Sequence, residues 1–488
     1  MANPNYLEKI KVGILTFGDG RDFLQKPLTP VNEKFTKELE ARLKKDGFQV
    51  VVGRKVLWKN SIAEAEGRRM TAQGCHAVIF NFAVWAWPQY ARVAAQFCPQ
   101  PILMFSNVNP QYPGLVGMLA NAGSLDQVGI KFYKTFGDIN DKTTYAQVKS
   151  RLLAIAAYNG LKGLTYGLFG GRALGIDTAV ADPALWMKKF GIDVDHVDQM
   201  ELVRRAELHV AKGTKVEAAL KYLTKRLKKI HWTKPDAEFR LTENLLRKQL
   251  GMYYAAYDLT QEFGYSFCGI KGQRELTEHY VTADVAEAFL NDPYHPDGTP
   301  KEPIICSTEA DMDAALTMKI LNLLSGEPAL FADIRHYHAD LDAWDLCNSG
   351  EHATFFAARS WSAPANLKHV EFRPEGFYFP AGGASVYHFA APGEVTLARL
   401  TRSGDTNRYR MAIMTGKFIK LGAEKAEKKA QEVQDNWPHA YCKLDNCSLK
   451  TFVDGMNCNH IHAAYGNWLD ELVTFCEIAD VEPAILRD

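Results

Sequence analysis

Two acids are set apart by where they fall in the chain. Glu309 follows the strand-like run PIICS, and Asp333 ends the strand-like run PALFAD. Between them EADMDAALTMKILNLLSG carries apolar residues at helical spacing and stops at Gly326. The pattern predicts strand, helix, strand: a single crossover in a parallel sheet. Side chains at the carboxyl ends of parallel strands face the ligand crevice, so both acids are expected to face one cavity. Ser307 and Thr308 are placed to cap the helix, which puts Glu309 at its N-terminus. Two such carboxylates can exchange protons with a substrate or hold a divalent cation through oxygen ligands. A cation also explains how like charges share a site.

Nitrogen ligands for such an ion are available. The candidates are His336, His338, His352 and His439, and NCNHIHAAYG adds His460 and His462 two residues apart. Two apart means the same face in a strand but not in a helix. Each residue also has an ordinary alternative: an acid at a strand end often caps a helix, and a single histidine is often a hydrogen-bonded core residue. On their own these residues leave open a divalent-metal hydrolase, aldolase, lyase or isomerase.

The elements that must position them follow from periodicity. KVGILTF (11–17), FQVVVG, HAVIFNFA and PILMFSNV read as strands, separated by helices from Val31 to Gly47 and over about 61–73. A second alternation begins near Gly160, with the strand and turn GLTYGLFGGRALGIDT (163–178), a lysine-rich helical stretch over 208–235 and a long helix over 243–264. Strands alternating with helices imply parallel sheets covered by helices. Beyond about residue 360, KHVEFRPEGFYF, GASVYHFA and GEVTLARLTR alternate polar and apolar residues between glycine and proline turns, which is the pattern of antiparallel strands. The expected architecture is α/β: two parallel-sheet domains over 1–160 and 161–350, the second carrying the acidic residues, and a β-rich, barrel-like domain over 351–488.

Composition narrows the function classes. In 488 residues, Lys plus Arg and Asp plus Glu number 57 each, so no net field favours a nucleic acid or an acidic membrane. No apolar window reaches the roughly 18 residues that span a bilayer, and residues 1–10 lack the apolar stretch of a secretory signal. Nine scattered cysteines without a CxxC pair suit a reducing compartment. The expectation is a cytoplasmic protein without nucleic-acid or membrane partners. GLFGGRALG (167–175) has the wrong spacing for a dinucleotide loop, and no GxxxxGK[ST] occurs. Turn formation is the simpler reading, with anion or substrate contact at Arg172 as the alternative.

Several long segments then carry a resemblance. STEADMDAALTMKILNLLSGEPALFADIRHY, GLFGGRALGIDT, FCGIKGQRELTEHY, WPHAYCKLD and NHIHAAYG resemble pieces of the L-fucose isomerase family, relatives of L-arabinose isomerase. The likeness runs from GILTFGDGR to the last helix. It implies interconversion of an aldose with its 2-ketose, typically L-fucose or D-arabinose, in a manganese-containing hexamer; Co2+ or Mg2+ are alternative ions. It implies Glu309 and Asp333 as both metal-binding and proton-transferring carboxylates, with His460 as the third protein ligand and His462 as its rival. His352, in SGEHATFF, resembles a ligand of the arabinose isomerase branch. Gln273 and Arg274 look like substrate-site residues, and Trp87 in VWAWPQ is similar to a residue closing the pocket, from the same or a neighbouring subunit. Two rivals stand beside this reading. A non-catalytic sugar-binding protein would not need the acids and histidine. A metal-dependent aldolase or lyase on a phosphorylated sugar would need Arg172, Arg274 and Arg335 to converge.

Overall fold

The computed structural model describes residues 6–348 and 351–488; the expected domain boundary at 350 lies outside them. The chain forms two compact units. One comprises residues 2–162 with 470–479, the other 163–469 with 480–488.

The first unit is built on a five-stranded parallel sheet in the order Gln49–Val52, Lys11–Thr16, Ala77–Asn81, Ile102–Ser106, Phe132–Phe136. Its three central strands are almost wholly buried apolar runs, because helices cover both faces. The first helix, Asp22–Asp46, starts well before Val31 and carries Pro27 and Pro30 inside it.

In the second unit, a four-stranded parallel sheet runs in the order Cys306–Thr308, Phe267–Ile270, Thr165–Phe169, Asp193–Val197. The lysine-rich stretch expected as one helix divides at Gly213 into Gln199–Lys212 and Thr214–Arg226. The β-rich part is a mixed sheet in the order Gly393–Arg402, His460–Tyr465, Leu330–His338, Ala343–Cys347, His439–Leu444, Tyr409–Phe418, Glu482–Ile485. Ten paired positions between Gly393–Arg402 and Tyr409–Phe418 join the first strand back to the sixth, closing a six-stranded ring. The α/β architecture with a barrel-like C-terminal part is therefore the observed one.

One local expectation fails. Leu330–His338 does not continue the parallel sheet that ends at Thr308. It runs antiparallel to Ala343–Cys347 and to His460–Tyr465, inside the ring. The strand also continues five residues past Asp333, so Asp333 is mid-strand. An apolar run such as PALFA is compatible with either sheet, and its partner strand His460–Tyr465 arrives more than a hundred residues later.

Candidate active site

Cross-strand pairing places the first two residues. Asp333 lies directly opposite His460 in the antiparallel ladder, and Phe331 opposite His462. Opposed residues project from the same face of a sheet, so the carboxylate and the imidazole are neighbours by register. His460 Nε2 lies 3.5 Å from Asp333 Oδ1, and Asn459 Nδ2 donates to the same oxygen at 3.3 Å.

Glu309 comes from the other sheet. It sits in the turn after Cys306–Thr308, and with Ala310 it adopts the left-handed region, at φ 55° and 50°. Neither residue is a glycine, and this conformation costs on the order of 1 kcal/mol or more per residue. The neighbouring strand approaches closely at Gly269, where any side chain would collide with Tyr166 Oη and lie 2.6 Å from Ser307 Oγ. The turn is held by Ala310 N–H donating to Ile270 O at 2.8 Å. The helix begins later than expected, at Met312, and its N-cap is Asp311, whose side chain accepts from Ala314 N. Glu309 is thus free of capping. Its Oε2 points to His460 Nε2 at 3.2 Å, and Gln273 Nε2 donates to its Oε1 at 3.0 Å.

Asp311, which sequence reasoning missed, anchors the imidazole from behind. Its Oδ2 accepts from His460 Nδ1 at 2.6 Å and from Arg399 Nη1 at 2.9 Å. Arg399 is fully buried and also donates to Thr178 O at 2.9 Å. Burial would raise the Asp311 carboxyl, but the Arg399 guanidinium and His460 hold it well below the usual range. For His460, burial opposes the charged ring, while Asp311 and Glu309 push it up to about 10. Burial raises the Asp333 carboxyl; His460 pulls it back and Glu309 pushes it further up. The visible signals for this layer were an arginine inside the apolar strand EVTLARLTR and an acid just ahead of the helical run.

These residues open onto a cavity of about 450 Å³, lined by Glu309, Asp333, Gln273, Asn459, Arg335, Ile334, Leu174 and Ile176 and by an aromatic wall of Tyr378, Phe379 and Trp437. Glu309 Oε2 and His460 Nε2 are buried and have no hydrogen-bond partner among the described residues despite their proximity. Two carboxylate oxygens and an imidazole nitrogen that converge without satisfying one another form a donor set suited to a hard divalent cation. Asp311, Cys458 and His460 also offer ligand atoms within 4.8 Å of one another. There, however, Asp311 is already committed to Arg399, Ala314 and His460 Nδ1, and the Cys458 thiol lies 3.4 Å from Thr178 Oγ1. The Nε2 side is the one that remains unsatisfied and faces the cavity lining.

The other candidates fall elsewhere. His462 is buried behind His460, 3.3 Å from Arg399 Nη1, and burial pushes its ring well below the ordinary histidine value. His352 is buried facing His388, with no hydrogen bond to either ring nitrogen among the described residues. His338 and His439 both bond Asp345, at 3.1 and 2.8 Å, and His336 is exposed. Arg172 pairs with Asp177, Arg274 is exposed beside Glu278, and Arg335 alone of the three arginines lines the cavity. The phosphate-binding cluster that a lyase on a phosphorylated sugar would need is therefore not assembled. Trp87 lies in the first unit, half-buried and stacked on Tyr90. No helix among the described residues is long and apolar enough to cross a membrane.

Comparison with known proteins relates the whole chain to one family. The chain matches the first N-terminal domain of L-fucose isomerase over residues 9–163. It matches the second N-terminal domain over 164–253 and 260–326, and the C-terminal domain over 346–486. It is 29% identical over 253 residues to an L-fucose isomerase of Klebsiella pneumoniae, covering 46% of this chain and 42% of that protein. The same enzyme of Escherichia coli is 29% identical and that of Salmonella heidelberg 30% identical, each over 251 residues with the same coverage. The match thus spans less than half the length of these relatives.

Proposed function

The chain belongs to the L-fucose isomerase family, and on that premise we propose that it is a metal-dependent aldose–ketose isomerase acting on L-fucose, D-arabinose or a closely related aldose. The observation that carries the proposal is the convergence of Glu309, Asp333 and His460 Nε2 at the cavity. In this reading Glu309, Asp333 and His460 hold the ion, Mn2+ by preference, with Co2+ or Mg2+ as alternatives. When bound, a hard divalent ion polarises a carbonyl and stabilises developing negative charge on oxygen.

The residues supply the proton transfers. Glu309 takes the proton from C2 of the open-chain aldose; the C–H electrons form the C1–C2 double bond, and the carbonyl oxygen O1 gains a proton. Return of a proton to C1 and loss of the O2 proton complete the ketose. Asp333, raised by burial, carries the proton between O1 and O2. Gln273 holds Glu309 in orientation through its 3.0 Å hydrogen bond, and Asp311 fixes the His460 ring. The aromatic wall takes the apolar face of the sugar. The remaining parts of the proposal are a hexameric assembly, a cytoplasmic setting consistent with nine free cysteines, and pocket closure by Trp87 from a neighbouring subunit.

The test is ketose formation by chelator-stripped protein, with and without restored Mn2+, across L-fucose, D-arabinose, L-arabinose, L-galactose and D-altrose. Mn2+-dependent conversion of one of them is the expected result. Absence of turnover across the panel, with Mn2+ bound, overturns the proposal in favour of a sugar-binding protein.

A further inference from the structure

The aromatic wall of the cavity is held from behind by two acids that the isomerase chemistry does not use. Phe379 lies 6.1 Å from Trp437 at an interplanar angle of 28°, and the Arg335 guanidinium sits 5.0 Å over the indole. Trp437 Nε1 donates to Glu375 Oε2 at 2.9 Å, and Asn436 Nδ2 donates to the same oxygen at 3.2 Å. Glu375 also leads directly, three and four residues on, into Tyr378 and Phe379. It is wholly buried, and no lysine or arginine among the described residues pairs with it.

A lone carboxylate in such a place is costly. Its neighbour is Asp284, the first residue of the helix Asp284–Asn291, which is buried as well and feels the charge of Glu375. One oxygen on each, Glu375 Oε1 and Asp284 Oδ2, has no hydrogen-bond partner among the described residues, and one proton shared between the two carboxyls would satisfy both. Burial raises both groups, and the charge of Glu375 raises Asp284 further. Shared in this way, the pair keeps Glu375 Oε2 as the acceptor for both Trp437 Nε1 and Asn436 Nδ2.

We infer that Glu375, backed by Asp284, is a positioning residue that fixes the Trp437 indole as the rigid wall of the substrate cavity. That the occupant is an open-chain sugar rests on the isomerase reading; that the indole is clamped does not. A clamped indole presents one flat face at no ordering cost on binding, whereas a free one must be ordered by the substrate itself. The contribution therefore falls on binding more than on turnover.

Three variants of the full chain, loaded with Mn2+, test this. Glu375→Leu removes the acceptor, Asp284→Ala removes the proton donor, and Asp284→Asn restores a donor in the same place. With the aldose turned over by the wild type, KM rises about tenfold in Glu375→Leu and Asp284→Ala with kcat changed less than about threefold. Asp284→Asn recovers most of that loss. In parallel, 5-fluorotryptophan is incorporated and the Trp437 19F resonance assigned by its absence in Trp437→Phe. That resonance shifts or broadens in the first two variants and returns in Asp284→Asn. An unmoved resonance overturns the inference, as does a loss confined to kcat or a failure of asparagine to rescue. If Glu375→Leu fails to fold, the alanine and asparagine variants at Asp284 decide the matter by the same two readouts. A wild type that turns over no aldose but shows the 19F response removes the isomerase reading and leaves the clamp standing.

Discussion

Replacing Arg399 with methionine tests how the buried layer under His460 is held. Methionine fills much the same apolar volume as the arginine stem, so the perturbation is electrostatic. It strands Asp311, which is fully buried and now receives two bonds from Arg399 at 2.9 and 3.3 Å, and it strips the donor from Thr178 O. Removing one partner of a buried ion pair costs about 3–5 kcal/mol, and an orphaned carbonyl adds about 1 kcal/mol. Asp311 keeps its bonds to Ala314 N and His460 Nδ1, which offsets part of this. The expected net loss is about 4 kcal/mol, a fall of roughly 6 °C in the melting transition of a unit this size, at about 1.5 °C per kcal/mol. Calorimetry of metal-free protein, with circular dichroism in two wavelength ranges as a check on cooperativity, measures it. The double variant Arg399→Met/Asp311→Asn keeps the cap acceptor and removes the stranded charge, so it should recover about 2 kcal/mol. A single variant melting within about 2 °C of wild type, or a double variant whose losses simply add, would refute the reasoning.

Further outcomes follow from the site and its surroundings. Glu309→Gln should lower kcat by at least about 100-fold and weaken Mn2+ binding, read by steady-state kinetics and metal titration; full activity would remove Glu309 from the mechanism. Gln273→Leu deletes the donor to Glu309 and should lower kcat/KM about tenfold while leaving the melting transition unchanged. Mn2+ at 100 times its dissociation constant should stabilise the wild type by about 2.7 kcal/mol, and His460→Ala should abolish that gain. Acid stability tests a separate cluster. Burial works to raise Glu371, but Lys228 at 2.7 Å, His231 at 2.8 Å and Arg373 at 3.0 Å bring it down to about 2. A depressed carboxyl contributes stability above its ordinary value of 4.5 that is lost as pH falls toward 2. Because Lys228 is 60% exposed, screening limits the gain to about 1–2 kcal/mol. Glu371→Gln should flatten the acid limb of a stability–pH curve in that window; an unchanged limb would show that the cluster does not act this way.

Local signals and long-range pairing account for what the sequence revealed. The parallel sheets were legible because each strand is a buried apolar run bounded by an amphipathic helix, as at KVGILTF and HAVIFNFA. Glu309 and Asp333 were legible as acids at the edges of such runs, and they do face one cavity. They meet there across two different sheets, however, and not as neighbours in one parallel sheet. Nothing near PALFAD announces a partner strand at His460–Tyr465, so the ladder that sets Asp333 against His460 could not be read locally. The roles of Asp311, Arg399, Glu375 and Asp284 were not legible for the same cause: each acts through partners 88, 149 or more than 90 positions away. The helix cap moved from Ser307 or Thr308 to Asp311 because the chain first makes a left-handed turn at Glu309 and Ala310.

The closed ring divides the labour of the site in a way that bears on how such proteins diversify. Asp333 and His460 are spaced by main-chain hydrogen bonds between adjacent strands, a spacing that survives almost any change of the side chains around it. Tyr378, Phe379 and Trp437 sit outside those two strands, on the stretch after Glu371–Pro374 and just ahead of His439–Leu444. Drift or laboratory recombination can therefore redraw the aromatic wall of the cavity while Asp333 and His460 stay in register. New substrate ranges are best sought in libraries confined to residues 375–383 and 434–437, with the ring left untouched.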